Sequence, residues 1–125
     1  MNLDYVKKSF FLKELYSNEL DLKGSFISNI DFSYNGPSLL ITFHINKIPK
    51  KYPEKWKQNC NSFKINFEFS GILDLNFCKW GTNNIIDFQM EYVSGKYDIN
   101  IFSEEVSLRF KAREILFKTI EPYNI

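Results

Sequence analysis

Histidine is almost missing from this chain, with His44 standing alone among 125 residues. Metal sites and general-base chemistry lean on that side chain, so one copy leaves little to build either from. His44 shares its parity with Thr42 and Asn46 in an alternating run, which puts it on a solvated face as an ordinary surface residue. Cysteine is nearly as scarce. Cys60 and Cys78 make at most one disulfide and belong to no Cys-x-x-Cys or Cys/His cluster. A nucleophilic thiol needs a base or an electropositive neighbour, and neither cysteine has one in sequence, so both read as free, inert thiols. The five glycines are scattered between strand-like runs, whereas a phosphate-binding loop clusters them ahead of a helix. The expectation is no catalytic centre, no metal and no cofactor.

Charge of one sign is also lacking. Sixteen basic side chains stand against 15 acidic ones, a formal balance of +1. Nucleic-acid binders usually carry a basic excess, because phosphate neutralisation supplies most of their affinity, and a DNA mimic would be strongly acidic. Long apolar runs are absent too. Near the amino terminus the longest is Phe10-Phe11-Leu12, short of a secretory signal and far short of the ~20 residues that span a membrane. The reading is a cytoplasmic protein that engages neither nucleic acid nor membrane. Alanine occurs once, as Ala112, while Lys, Asn, Ile and Phe abound. An AT-rich gene produces that bias, so the placement of the aromatics matters more than their number.

What is present is a globular composition, 44% hydrophobic and 25% charged, on a length that suits one domain over residues 1–125. One helix is predicted after Ser9, which can cap it, with Phe10, Phe11, Leu12, Leu15 and Tyr16 on one broad face. The polar run Ser17-Asn18-Glu19 ends it and Gly24 marks the turn into a sheet. The period then changes to two. Ile30, Phe32 and Tyr34 lead through Asn35-Gly36-Pro37 into Leu39, Ile41, Phe43 and Ile45, which reads as a hairpin. A lysine-rich loop follows from Pro49 to Asn61. Phe63, Ile65, Phe67 and Phe69 give the clearest alternation. Gly71 breaks it, and Leu73, Leu75 and Phe77 resume it. Trp80-Gly81-Thr82-Asn83-Asn84 is read as the next turn, followed by Ile86 to Tyr92 and, after Ser94-Gly95, Tyr97 to Ile101.

In the last stretch Val106, Leu108, Phe110 and Ala112 alternate, and a parity slip before Ile115 and Phe117 suggests a bulge. A helix starting at Ser103 is the competing reading for 103–118. The sum is an α+β, mostly β fold: an antiparallel curved sheet of about seven strands, a meander or half-barrel, with the helix packed against it.

Three features invite a chemical reading. Asp87 and Glu91 share a face, but four residues of strand separate them by about 13 Å, wider than the ~5–9.5 Å of glycosidase pairs; with Glu68 and Asp74 they read as a charged solvated face, useful as a contact surface. Tyr52, Trp56 and Trp80 lie in or beside loops, as caps on open sheet ends or as anchors for a partner. Lys50, Lys51, Lys55 and Lys57 interleave with Tyr52 and Trp56, a pattern that suits single-stranded nucleic acid, against which the neutral balance speaks.

The order of short motifs carries a resemblance. A helix with Phe11-Leu12, then Gly36-Pro37-Ser38-Leu39 before a strand, a Pro-containing loop ending Lys55-Trp56, a strand pair leading to Trp80-Gly81-Thr82-Asn83-Asn84, and a closing Glu121-Pro122-Tyr123 together resemble the immunity protein 50 family of bacterial polymorphic toxin systems. The resemblance implies a cytoplasmic antitoxin that binds and blocks the toxic domain of a cognate effector. It carries no catalytic residues, and the matching Trp56, Trp80, Gly81 and Pro122 read as scaffold. The candidate contact residues are Glu68, Asp87 and Glu91, with Arg109 and Lys111 on the last strand. A small-molecule or lipid-binding β-domain is the second reading. An enzyme is the third, and would need Cys60 or Cys78 beside His44.

Overall fold

A computed structural model describes the chain except for residues 35, 50–52, 54, 55, 57–59 and 125. Asn35, read as part of a turn, Tyr52 and the lysines 50, 51, 55 and 57 therefore lie outside the described residues. A 3-10 turn (Leu3–Tyr5) leads into the two-residue strand β1 (Val6–Lys7) and then α1 (Phe10–Tyr16). Eight further strands follow: β2 (Phe26–Ser33), β3 (Ser38–Ile45), β4 (Ser62–Ser70), β5 (Leu73–Lys79), β6 (Asp87–Val93), β7 (Lys96–Phe102), β8 (Ser107–Ala112) and β9 (Glu114–Tyr123). The class is as expected, mostly β with one helix, but the described residues hold nine strands rather than seven.

The strands form two sheets, ordered β1-β9-β4-β3-β2 and β5-β8-β7-β6. This corrects the single meander. β4 and β5 are not hairpin partners. They run as a ribbon alongside β9 and β8, pairing Ser70 with Glu114 in one sheet and Leu73 with Lys111 in the other. The ribbon bends between those pairs, at Gly71 and Arg113, and passes from one sheet to the other. The bend needs glycine twice over: Gly71 has φ +65°, and a Cβ there would meet the Arg113 Cβ at 2.8 Å. The Arg113 N–H donates to the Ser70 carbonyl at 2.8 Å. The parity slip before Ile115 is this change of sheet.

A second correction is that not every pair is antiparallel. β1 runs parallel to β9, Val6 opposite Ile115; the helix and seven strands lie between them in the chain, ample length for the crossover a parallel pair requires. The helical alternative for 103–118 is overturned. Ser103 Oγ accepts from the N–H groups of Glu105 and Val106, both at 3.1 Å, which spends the capping oxygen on a tight turn between β7 and β8.

The period-two reading of the core holds in detail. Leu39, Ile41, Phe43 and Ile45 of β3 and Phe63, Ile65, Phe67 and Phe69 of β4 are all buried, as are Ile99 and Ile101 of β7 and Leu108, Phe110 and Ala112 of β8. The two sheets thus share one apolar layer. The helix docks with Leu12 and Leu15 inward, but Phe10 is 75% exposed and does not belong to its buried face. Ser9 stands at the N-cap without capping, and its buried hydroxyl donates instead to the Leu3 carbonyl at 2.9 Å. Trp56 packs between Phe11 and Phe63, with ring centroids 6.0 and 5.9 Å away, a scaffold role as expected.

Candidate partner-binding site

Two sheets facing each other have two seams between their edges. At one, Tyr5 beside β1 stacks on Tyr92 of β6 at 5.6 Å and contacts Tyr97 of β7 at 5.5 Å, so tyrosines bridge it. The other seam, between β2 and β5, is tied by backbone hydrogen bonds at its two ends among the described residues. At one end the Ile72 N–H donates to the Pro37 carbonyl at 3.0 Å. At the other the Ile27 N–H donates to the Asn84 carbonyl at 3.1 Å, the Ile86 N–H donates to the Ser25 carbonyl at 2.9 Å, and Phe26 bridges to Ile85. Between these ties the Cα traces of β2 and β5 lie mostly beyond 8 Å from each other, too far for a ladder whose strands run about 4.8 Å apart.

The gap exposes side chains that point toward the layer between the sheets. Ile30 and Phe32 are opposite Ile41 and Leu39, and Phe77 is opposite the buried Leu108; paired residues point to the same side of a sheet. Yet Phe32 is 53%, Phe77 41% and Trp80 44% exposed. The Phe32 and Phe77 rings stack across the gap at 6.2 Å, and Trp80 meets Phe77 edge-on at 6.1 Å. A cleft of about 350 Å³ lies here among Ser28, Asn29, Ile30, Phe77 and Trp80, and a second of about 370 Å³ continues it past Thr82 to Ile85. Among the described residues, none that lines either cleft is charged.

Trp80-Gly81-Thr82-Asn83-Asn84 is therefore not a hairpin turn. β5 and β6 stand at opposite edges of the four-stranded sheet, and this segment crosses the sheet end between them. It is pinned by the Asn83 N–H to Glu105 Oε2 at 2.9 Å and the Gly81 N–H to Asn84 Oδ1 at 3.0 Å. Gly81 lies so close to Glu105 that a Cβ would come within 2.6 Å of the glutamate's own. The scaffold reading fits Gly81. For Trp80 it is incomplete, since nearly half of the side chain faces solvent in the cleft. Period two also misassigned Leu73. Asp74 has φ +53° and a bulge lies between Leu73 and Asn76, so Leu73 joins Lys111 and Asn76 on the outer face.

The five charged candidates do not form one patch. Asp87 and Glu91 of β6 and Arg109 and Lys111 of β8 share the outer face of the four-stranded sheet, linked in register through Asp98, Asn100 and Phe102 of β7. Glu68 lies on the outer face of the other sheet, opposite Leu40 and Leu116. Four of them sit in ion pairs: Arg109 with Asp98 at 3.2 Å, Lys111 with Asp74 at 3.4 Å, Glu68 with Lys118 at 3.7 Å and Asp87 with Lys23 at 3.9 Å.

His44 is less isolated than its sequence neighbours suggested. Its Nε2 lies 2.7 Å from Ser28 Oγ and its Nδ1 2.7 Å from the Tyr123 hydroxyl, while Phe26 stacks flat on the ring at 4.3 Å. A serine, a base and an orienting group at hydrogen-bond distance is the outline of a nucleophilic relay. The electrostatics run against one. Burial, helped by the charge of Lys64, lowers the His44 pKa, and burial raises that of the Tyr123 phenol against a hydrogen bond with Ser62. The third member is thus a neutral phenol where relays place a carboxylate to stabilise the imidazolium. The arrangement serves to tie β2, β3 and β9 together. Cys60 is buried, and Cys78 is exposed with its thiol 2.8 Å from Asn76 Oδ1. No group of three or more His, Cys, Asp or Glu able to hold a metal occurs among the described residues, and none of their helices is long and apolar enough to cross a membrane.

No curated protein and no solved structure matches the chain. A family model does: immunity protein 50 matches residues 9–123, from the helix cap through the last strand. The chain belongs to the immunity protein 50 family.

Proposed function

We propose that the whole chain works as one immunity domain, which binds the toxic domain of a cognate bacterial polymorphic toxin in the cytoplasm and blocks it by occlusion, without turning over a substrate. The match over residues 9–123 carries this reading. The described surface supports it, offering two places for a protein to dock: the open seam with its half-exposed rings, and the outer face of the four-stranded sheet with Asp87, Glu91, Arg109 and Lys111. Glu68 contributes only if the toxin also reaches the second sheet. A stable complex buries about 1,200–2,000 Å², which either surface can supply only together with its surroundings. The test is co-expression with the variable carboxy-terminal domain of a large secreted protein encoded beside this chain. The expected result is restored growth and co-purification; a toxin that kills regardless, with no complex recovered, refutes the reading.

The open cleft favours one other reading, a small-molecule or lipid carrier, since about 350 Å³ is at the lower end of the range for ligand pockets. Native mass spectrometry of the purified chain separates the two: an immunity protein emerges at its own mass of 14.9 kDa, a carrier with added mass.

A further inference from the structure

The seam has a feature that the family match does not contain: an unprotected strand edge. Sheet edges are normally blunted by lysine, proline, bulges, charge or brevity, because an open row of backbone donors and acceptors pairs with any passing strand. Three of the four edges here are blunted. β1 is two residues long; β5 carries two bulges and Lys79; β6 carries Asp87 and Glu91. β2 differs. Its one bulge lies at Ser28, beside the tied end, and from Asn29 to Ser33 it pairs regularly with β3 on one side and, among the described residues, has no strand on the other. It holds neither Lys nor Pro and has a single charge, Asp31, opposite Leu40 on the outer face, where β6 has two.

We infer, resting on the toxin-binding reading, that the toxin adds an extended segment to the free edge of β2 along Asn29–Ser33. The segment is uncharged, with apolar side chains at every second position. Those side chains pack on Phe77 and Trp80, while its backbone completes the hydrogen bonds that β2 leaves open. β5 does not fill that edge, because its Cα trace stands mostly beyond 8 Å from β2, more than one ladder spacing. The absence of charge follows from the cleft walls, where an unpaired charge would lose water without gaining a partner. Half-exposed aromatic rings in a shallow pocket are the kind of anchor that dominates protein interfaces. A second copy of this chain fits less well: β2 would offer its twin a strand bearing Asp31, and a two-fold pair would crowd two sets of seam rings together.

The experiment is amide hydrogen exchange on the full chain, alone and bound to the toxin domain encoded beside it, with affinities measured for Phe77→Ser and Trp80→Ser. The expected result is new protection at Asn29–Ser33 in the complex and at least about tenfold weaker binding by each variant. Exchange on the unaltered chain keeps the test valid even if a variant misfolds. A tight complex with no added protection along Asn29–Ser33 overturns the inference and leaves the immunity reading standing. So does a chain that is dimeric alone with these amides already protected. No complex at all refutes the function proposed above, and this inference with it.

Discussion

Gly71 and Gly95 both hold left-handed backbone, at φ +65° and +80°, but only Gly71 is crowded, by the Arg113 side chain. Gly95→Ala meets nothing within 4 Å and should cost only the conformational strain, about 1–2 kcal/mol. Gly71→Ala should cost about 1–3 kcal/mol more for the overlap, which paired urea titrations will read; equal losses would mean that the ribbon does not bend as described. His44 gives a second test at this scale. Its folded pKa lies below the ordinary 6.5 because burial disfavours the charged ring. Between the two values the unfolded chain binds more protons, so unfolding free energy rises with pH. The contribution is complete above about pH 6.5 and drains away as pH falls toward the folded value. Urea midpoints of the unaltered chain should therefore drop faster below pH 6.5 than those of His44→Gln, and parallel curves would exclude the lowered pKa. In sequence His44 showed only Thr42 and Asn46 as parity neighbours. Its real partners, Ser28 and Tyr123, are 16 and 79 residues away, and no local pattern announces them.

Period two was legible wherever a strand is covered on one face, as in β3, β4, β7 and β8. It failed at β5. That strand's residues are all exposed to some degree, and Asp74 carries a bulge that no glycine marks. The pattern also could not show which strands pair, because β4 and β5 alternate alike whether they form a hairpin or pass together from sheet to sheet. The short β1 held too few residues to have a period. The pairing has a measurable consequence. β4 lies between β3 and β9 with four phenylalanine and isoleucine side chains fully buried beneath it, whereas β5 has a ladder on one side only. Native-state hydrogen exchange should be slowest in β4 and orders of magnitude faster in β5; similar protection in the two would contradict the open seam.

At the scale of the whole molecule, composition and charge narrowed the field while leaving the open seam hidden. The charged residues picked as contacts proved mostly to be paired within the chain, and exposed pairs of that kind contribute little to stability. The seam was invisible because its residues, Ile30, Phe32, Phe77 and Trp80, look like core and end-capping residues when read along a strand. Only the failure of β2 and β5 to meet exposes them. With a net charge of +1, association with a toxin should be steered weakly, so its rate should change only mildly between low and moderate salt. A steep dependence would point instead to a local charged patch as the docking surface.

The central claim is that this chain neutralises by occupying a partner and not by acting on it as a catalyst. Titrating the purified chain into a fixed amount of the neighbouring toxin domain, while following the toxin's own activity, tests this directly. Activity should fall in proportion to the chain added and reach zero at one chain per toxin. Complete loss at a small fraction of that ratio would reveal turnover, activity that persists at a large excess would reveal no blockade, and either result would contradict the account.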